Sequence, residues 1–393
     1  MFAEWSVVFG LMIGATIGSF LNMVIYRLPR GLSFSEPKRS FCPNCKHALS
    51  GLDLIPIFSW LRTGGRCRHC GQPIAVRYLV VELVNAVLFG GIWWQYFVAT
   101  WAPITAIFYM ITAASLVAVI FIDWELYIIP DELNAFILVV GLVYRAVDVR
   151  WGNGQWMPGI MGALLGWGLL WGIALLGRLL FGKDAMGHGD IKLMRGVGLI
   201  LGPLLLPASL GMAVIVGLVV GLTLIGLSSR QQPAVAMAEP EEIVAPESIG
   251  SLLIHGIWYL LCMDVFALFF PGMNAWIGDT QSEVYDADED WKPSLTTIPF
   301  GPYLTAGALV CMLFGNVVEN VIGDYWRHAT GDVAKVSRLD TRLGGSSLAS
   351  VGRSRVSHAV AVVVPLVGKS RQIVGGVATE LIQTADHLGR DLG

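Results

Sequence analysis

Long apolar runs alternate with short polar loops along most of this chain. A membrane-spanning helix needs about 20 consecutive, predominantly apolar residues. The longest run is sufficient for two helices, and Gly202, Pro203 and Pro207 interrupt it. Because proline breaks a helix interior, we interpret this run as a hairpin. The pattern predicts eight or nine spans, at about residues 5–27, 78–99, 101–122, 134–149, 157–181, 191–227, 251–271 and 299–322.

The composition agrees with this pattern. Hydrophobic residues make up 55% of the chain and charged residues 14%, and the mean hydropathy is +0.64. These values are typical of a polytopic membrane protein and exclude an ordinary soluble domain. The first apolar run has no basic cluster before it and no small-residue cleavage site after it. We therefore expect a retained span rather than a removable signal.

Basic residues concentrate in the loop after the first apolar run. Residues 27–77 contain nine Lys or Arg against two acidic residues, Glu36 and Asp53. Cytoplasmic loops carry an excess of Lys and Arg, so we expect this loop to be cytoplasmic. Alternation of the spans then places residues 123–133 and 182–195 on the same cytoplasmic side. That placement does not depend on the acidic residues in those two loops.

Four of the six cysteines form two C-x-x-C pairs, Cys42 with Cys45 and Cys67 with Cys70, and 21 residues separate the pairs. This spacing is typical of a tetrahedral zinc site, and the reducing cytosol would keep the thiols free. We expect a structural role, because four protein ligands leave no open position for a catalytic water. The alternatives are a disulfide pair or unrelated thiols.

Two acidic residues lie at the ends of apolar runs, where charge is costly. Asp123 follows the run 107–122, and Asp190 ends the turn Gly187-His188-Gly189-Asp190. Ionisable residues in membrane segments are often functional, and two carboxyl groups can divide acid and base roles. This pairing indicates a membrane aspartyl hydrolase. Taken singly, Asp123 could mark the membrane–water interface, and Asp190 could cap the following helix.

The glycines next to Asp190 strengthen the functional interpretation. Gly187 and Gly189 permit a tight turn or the close approach of a bound peptide. His188 lies between them and could be a third participant in the chemistry. The favoured expectation is that the His188 side chain points at solvent.

The predicted fold is an all-α polytopic membrane protein of about eight or nine transmembrane helices with a small cytoplasmic zinc-binding loop. Residues 228–250, rich in Ala, Pro and Glu, are typical of a flexible linker. The predicted segments are 1–27, the first span; 28–77, the zinc-binding loop; 78–227, the catalytic core with both aspartates; 228–297, an insertion with a linker and an extra apolar segment; 298–326, the last span; and 327–393, a tail without an assigned function.

Several ordered motifs resemble those of the bacterial prepilin peptidases, also called type IV leader peptidases. The resemblance covers about residues 8–227 and 298–322. It rests on residues 18–22 (GSFLN) and 26–29 (YRLP), the four paired cysteines followed by Arg77-Tyr78 and Glu82, Asp123 with 129–131 (IPD), 186–193 (MGHGDIKL) and 298–303 (IPFGPY).

The resemblance implies cleavage of the basic leader of type IV prepilins or pseudopilins, after a glycine, at the cytoplasmic face of the bacterial inner membrane. Many members then methylate the new N-terminus with S-adenosylmethionine; no motif for that cofactor is recognisable here. The two family aspartates correspond to Asp123 and Asp190. Asp131 ranks behind Asp123 and joins Gly187 and Gly189 as support for the substrate or loop. The expected partners are prepilin substrates and the lipid bilayer, and no nucleic acid is expected.

Two other classes of function compete with this interpretation. A transporter or channel could use the acidic residues for proton or cation passage, but it would not explain the paired cysteines or the glycine turn. A non-catalytic assembly factor of a pilus or secretion system would not require both Asp123 and Asp190. Cleavage of a pilin-like peptide discriminates between all three.

The insertion at 228–297 departs from the family pattern. If the apolar segment 251–271 crosses the membrane, the motif at 298–303 moves to the outer face. If the segment lies in the membrane interface, that motif stays on the cytoplasmic face, and the basic tail, residues 327–393, lies on the opposite side of the membrane. The sequence leaves both arrangements open.

Overall fold

The computed structural model describes residues 2–35, 40–42, 44–152, 154–182, 186–228, 248–270 and 299–329. The tail beyond residue 329 and most of the insertion lie outside these residues. Eleven α-helices are present in the described part of the chain, and they form one contiguous unit up to Ile322. They are α1 Phe2–Trp5, α2 Val7–Arg27, α3 Phe58–Arg62, α4 Val76–Trp93, α5 Pro103–Leu126, α6 Asp131–Trp151, α7 Trp156–Phe181, α8 His188–Ser228, α9 Ile249–Leu260, α10 Met263–Phe269 and α11 Gly301–Ala329.

The described residues contain no β-strand beyond two isolated bridges, so the prediction of an all-α membrane protein is confirmed. The described residues contain somewhat fewer candidate spans than predicted. Six of their helices are long and apolar enough to cross a membrane, with α8 counted once, or seven if the bent pair α9–α10 counts as one span. Helix α6 has a suitable length but fails this test because charges such as Arg145 and Asp148 interrupt its apolar sequence. The six are α2, α4 with the π-helical turn Trp94–Ala99, α5, α7, α8 and α11.

Small residues let the first two long helices approach closely. Gly10, Gly14 and Gly18 recur every fourth residue on the face of α2 that meets α4. A Cβ on Gly14 would lie 2.6 Å from the Asn85 carbonyl oxygen, and one on Gly18 would lie 2.7 Å from the Glu82 Cα. Such small-residue faces are typical of helix pairs in membranes, where van der Waals packing drives association.

Helix α8 folds back on itself at Gly202, as the interrupted apolar run predicted. Gly202 has φ 79° and ψ −177°, which are not helical. A Cβ on Gly166 of α7 would lie 2.7 Å from the Met194 carbonyl carbon and 3.3 Å from Leu206 Cδ2. In a straight helix Met194 and Leu206 would be about 18 Å apart, so both can meet Gly166 only if the chain reverses. We call residues 188–201 the first arm and residues 203–228 the second arm.

Arg145 is a charged residue inside α6, and its hydrogen bonds explain why it is buried there. Its side chain is buried, and it donates from Nε to the Leu199 carbonyl at 2.8 Å and from Nη2 to the Ile200 carbonyl at 2.9 Å. Carbonyls at the end of a helix lack intrahelical partners. Arg145 therefore caps the end of the first arm, where the chain turns at Gly202.

The segment after the linker forms a bent pair rather than one straight span. Helices α9 and α10 meet at an angle of 80°, and Cys262 at the bend has a left-handed backbone with φ 56°. Trp171 of α7 donates from its indole N–H to the Leu252 carbonyl at 3.2 Å. The pair packs against α7 and the first arm of α8, so it stays beside the end of the bundle where α8 begins.

Candidate active site

Asp123 lies in the last turn of α5 and is 5% exposed. Helix α5 ends because Tyr127 adopts a left-handed backbone with φ 59°, and the Tyr127 N–H bonds the Asp123 carbonyl at 2.9 Å. Pro130 then precedes α6, and proline disfavours helical geometry in the residue before it. The carboxyl group is thus fixed between the end of one helix and the start of the next.

Asp190 lies in the first turn of α8 and is 9% exposed. Its Oδ1 is buried and has no hydrogen-bond partner among the described residues. A Cβ on Gly187 would lie 3.2 Å from Asp190 Oδ2, and one on Gly189 would lie 3.1 Å from Ile129 Cβ. Both glycines therefore sit where a side chain would crowd the site or the loop that leads from Asp123.

The late motif supplies a third segment to the same place. A Cβ on Gly301 would lie 2.5 Å from Asp123 Oδ2 and 3.1 Å from Ile129 Cδ1, and the Gly301 backbone N–H favours the charged Asp123 carboxylate electrostatically. Gly301 is the first residue of α11, where backbone amides are free and the helix dipole favours negative charge. The motif thus lies at the Asp123 end of the bundle, which agrees with the arrangement in which both aspartates and the late motif share one face.

Sequence reasoning missed the contact between Gly301 and Asp123. The motif around Gly301 was matched to the family pattern, but no local property of that motif indicates which carboxylate it meets. Asp123 and Asp190 also interact electrostatically with each other. Three segments that are distant in sequence therefore surround one pair of buried carboxyl groups.

Asp131 and Glu125 have cationic partners within the chain. Both carboxylate oxygens of Asp131 accept from Lys192 Nζ at 2.9 Å, and Lys192 is 1% exposed. Glu125 accepts from Arg77 Nη1 at 2.6 Å. Arg77 lies next to the basic loop, so the Arg77–Glu125 pair places the Asp123 end of α5 beside that loop, as the alternation of spans predicted.

His188 does not point at solvent, so that expectation was wrong. Its Nδ1 lies 3.0 Å from the Tyr259 hydroxyl, and its ring meets the His255 ring with centroids 5.2 Å apart. Both partners come from α9 in the insertion. No local pattern around His188 could have revealed them, because Tyr259 lies 71 residues further along the chain.

The four paired cysteines converge in the loop between α2 and α4. Their sulfurs all lie within 4.8 Å of one another, and Cys42 Sγ is 3.9 Å from Cys70 Sγ. All four are free thiols, so the disulfide alternative does not apply. A tetrahedral site with metal–sulfur distances of about 2.3 Å requires sulfurs about 3.8 Å apart. The cluster could therefore hold a metal ion with only small shifts.

Two similar turns present these sulfurs. Lys46 N–H bonds the Cys42 carbonyl and Gly71 N–H bonds the Cys67 carbonyl, each at 2.9 Å. The backbone amides of Cys70 and His69 lower the pKa of the Cys67 thiol to about 7, which favours the thiolate that metals bind. Desolvation and the neighbouring cysteine side chains raise the pKa of the Cys70 thiol to about 11. Beside the cluster, Asp53 bonds Ser50 and Arg68, and these contacts lower the Asp53 pKa to about 2.

The sequence of this chain is similar to those of known proteins. A family model for the bacterial peptidase A24 N-terminal domain matches residues 12–96, and one for the type IV leader peptidase family matches residues 110–222. A prepilin leader peptidase/N-methyltransferase from Myxococcus xanthus is 32% identical over 321 residues, which is 80% of this chain and 92% of the relative.

Two further relatives carry the same name. The protein from Aeromonas hydrophila is 35% identical over 239 residues, covering 55% of this chain and 80% of the relative. The protein from Neisseria gonorrhoeae is 31% identical over 248 residues, covering 56% and 83%. No solved structure shows a significant match. The two family models fall on the segments with the cysteines and the aspartates, and the Myxococcus protein aligns over nearly its whole length, so this chain belongs to the type IV leader peptidase family.

Proposed function

We propose that this multi-pass membrane protein is an aspartyl endopeptidase that cleaves the leader of type IV prepilins or pseudopilins. The observation that carries the proposal is the convergence of Asp123, Asp190 and Gly301 at one buried site. A peptide hydrolase needs one group to activate water and another to protonate the leaving amine. Two adjacent carboxyl groups resist double ionisation and favour sharing one proton, which provides both functions at once.

Asp123 and Asp190 would divide these roles. The ionised carboxylate takes a proton from a water molecule as the water attacks the scissile carbonyl carbon. The protonated carboxyl group donates a hydrogen bond to the carbonyl oxygen and then protonates the leaving amine. Close contact with the Gly301 backbone holds Asp123 in place. Gly187 keeps the space beside the Asp190 carboxyl group free of a side chain, and Gly189 lets the turn pack against Ile129. With substrate bound, we expect the carboxyl groups to approach within roughly 4–7 Å, enough for one water and one carbonyl.

We place this chemistry at the cytoplasmic face of a bacterial inner membrane. The support is the loop 27–77, whose nine basic residues favour the cytoplasm, together with the Arg77–Glu125 pair that links this loop to the Asp123 end of α5. Labelling of single cysteines introduced at positions 126 and 184, in a background without Cys262 and Cys311, tests the orientation. Reaction with an impermeant reagent outside intact cells would refute it.

We propose zinc as the metal of the cysteine cluster, since zinc prefers tetrahedral coordination by thiolates and the four sulfurs are close enough together to provide it. Cys42, Cys45, Cys67 and Cys70 would hold one structural ion. Methyl transfer from S-adenosylmethionine to the new N-terminus is a second proposed activity. It rests on the names of the Myxococcus, Aeromonas and Neisseria relatives, and we assign no residue to it.

The decisive experiment is cleavage of a synthetic prepilin-like peptide by the purified full-length protein in lipid nanodiscs. We expect one cut that releases the basic leader, identified by the masses of both products. An uncut peptide, with proton or cation flux through proteoliposomes that contain the protein, would favour the transporter instead. An uncut peptide without flux would favour the assembly factor. A mass increase of 14 Da on the product in the presence of S-adenosylmethionine, calculated for one methyl group, would support the second activity.

A further inference from the structure

The bent pair α9–α10 lies along one face of the first arm of α8. Its contacts on α8 include His188, Lys192 and Arg195, which recur at the spacing of one helical face. Asp190 occupies a different face of the same two turns. The pair is therefore placed to hold the helix that carries Asp190 without covering the carboxyl group itself.

Tyr259 of α9 contacts all three residues of this face. It is 1% exposed. Its hydroxyl lies 3.0 Å from His188 Nδ1, its ring centroid is 4.9 Å from Lys192 Nζ, and its carbonyl accepts from Arg195 Nη1. One residue thus joins the glycine turn before Asp190 to the two following turns of α8, by its side chain at His188 and Lys192 and by its backbone at Arg195.

A buried ion pair anchors the second helix of the pair. Arg195 donates from Nη1 to Asp264 Oδ1 at 2.9 Å and from Nη2 to Asp264 Oδ2 at 2.6 Å. The side chains are 4% and 6% exposed. A bidentate arginine–carboxylate pair fixes distance and orientation together. Asp264 therefore holds α10 in register with α8, and with it the position of Tyr259.

Lys192, which lies over the Tyr259 ring, also connects α8 to the segment that follows Asp123. Lys192 Nζ donates to both oxygens of Asp131 at 2.9 Å, and Asp131 begins α6, which follows the loop from Asp123. A shift of Tyr259 would displace His188 and Lys192. These residues lie two positions before and two positions after Asp190. Catalytic groups must be held to within a fraction of an ångström, and a misplacement of 1 Å can cost about 100-fold in rate.

We propose that the bent pair α9–α10 is a built-in part of the peptidase site and that Tyr259 is a positioning residue, which fixes the Asp190 turn through its contact with His188. The proposal rests on the proposed function. It gives the apolar part of the insertion a role in the reaction, whereas the sequence indicated only an extra apolar segment. Tyr259 does not touch the substrate, so its loss acts on the rate of the chemical step rather than on substrate binding.

The test compares Tyr259→Phe with wild type in the peptide-cleavage assay, with kcat and KM measured separately. Phenylalanine keeps the ring over Lys192 and removes only the hydroxyl. We expect kcat to fall about tenfold, because a misplaced catalytic carboxyl loses part of its effective concentration, while KM stays within about twofold. Tyr96→Phe is the matched control. Tyr96 is also buried and donates its hydroxyl to the Met312 carbonyl at 2.8 Å, and we expect its kcat to stay within about twofold of wild type.

A double-mutant cycle separates positioning from general support. His188→Ala should lower kcat about as much as Tyr259→Phe, and the double variant should fall no further, because both changes remove one interaction. Asp264→Asn should also lower kcat, and Asp264→Glu should restore most of it. If Asp264→Asn does not fold, the cycle of Tyr259→Phe and His188→Ala still tests the positioning role.

Two outcomes would overturn the proposal. One is a kcat of Tyr259→Phe within twofold of wild type, and the other is a double variant whose loss is the product of the two single losses. Wild-type protein that leaves the peptide uncut would instead refute the proposed function. The two failures are thus distinct, since the first requires an active wild-type enzyme.

Discussion

The cysteine cluster and the aspartate site are built over very different ranges of sequence. Each cysteine pair is presented by one short turn, and Cys42 and Cys70 are 28 residues apart. The aspartate site brings together Asp123, Asp190 and Gly301, which belong to three helices and meet only because those helices pack. Local turns therefore create the first site, and the packing of the whole bundle creates the second.

The two sites also differ in what holds them in place. Cys45 and Cys70 are exposed, and the loop between α2 and α4 buries few large apolar side chains, so a bound metal would supply much of its stability. Asp123 and Asp190 are buried within a core of apolar helices. Removal of the proposed metal should therefore open the loop while the aspartate site persists. Four predictions test this separation.

The largest effect is expected from Asp123→Asn and Asp190→Asn. Each change removes a proton-transfer group and keeps its volume, so cleavage should fall by about 10²- to 10⁴-fold, while the protein stays folded and retains its metal. The measurements are peptide cleavage, thermal unfolding and metal content. Asp148→Asn, near the other end of α6, is the control and should keep full activity. Activity above a few per cent in either variant would remove that residue from the pair.

Gly301→Ala should disturb the aspartate site from a third helix. The added Cβ would lie 2.5 Å from Asp123 Oδ2, so the carboxyl group or α11 must move. We expect kcat to fall by about 10- to 100-fold, without loss of metal. Gly168→Ala is the matched control, because a Cβ there meets no atom within 4 Å. Equal kcat values for the two variants would mean that the close contact has no part in the chemistry.

Cys42→Ser should disturb the cysteine cluster and leave the aspartate site intact. Purified wild type prepared without oxygen should hold about one zinc per chain, with Zn–S distances of about 2.3 Å. The variant should lose metal and show faster hydrogen exchange in residues 40–75, while the exchange of α5 and the first arm of α8 stays at the wild-type level. Elemental analysis that finds no zinc in wild type would contradict the assignment, and faster exchange throughout α5 would show that the two sites are coupled.

The smallest effect is expected from Asp53→Asn. The pKa of Asp53 is lowered to about 2 from 3.8, so its contacts stabilise the loop above about pH 4, and this contribution is lost as the pH falls toward 2. Arg68 is 44% exposed, and exposed ion pairs contribute less than about 1 kcal/mol. Hydrogen exchange of residues 50–68 should therefore rise by less than about fivefold in the variant at pH 7, and the difference should shrink below pH 4. A difference that grows toward acid pH would refute the assignment.

The positions of the apolar helices and of the cysteine cluster were readable from the sequence, because both depend on neighbours along the chain. Apolar runs of sufficient length specify helices in a membrane, and paired C-x-x-C turns specify a four-sulfur cluster. The reversal at Gly202 was equally local, since glycine and proline break the helix there. Alternation of the spans, starting from the basic loop, predicted that Asp123 lies on the same side as that loop, and the Arg77–Glu125 pair agrees.

Only the tertiary structure decided which segments meet. The sequence predicted eight or nine spans and a solvent-facing His188, whereas the described residues contain six or seven candidate spans and His188 contacts Tyr259. The meeting of Gly301 with Asp123 and of Asp264 with Arg195 depends on how helices pack after long connections. Periodicity and composition report the environment of one segment at a time, and they carry no information on which distant segment supplies its partner.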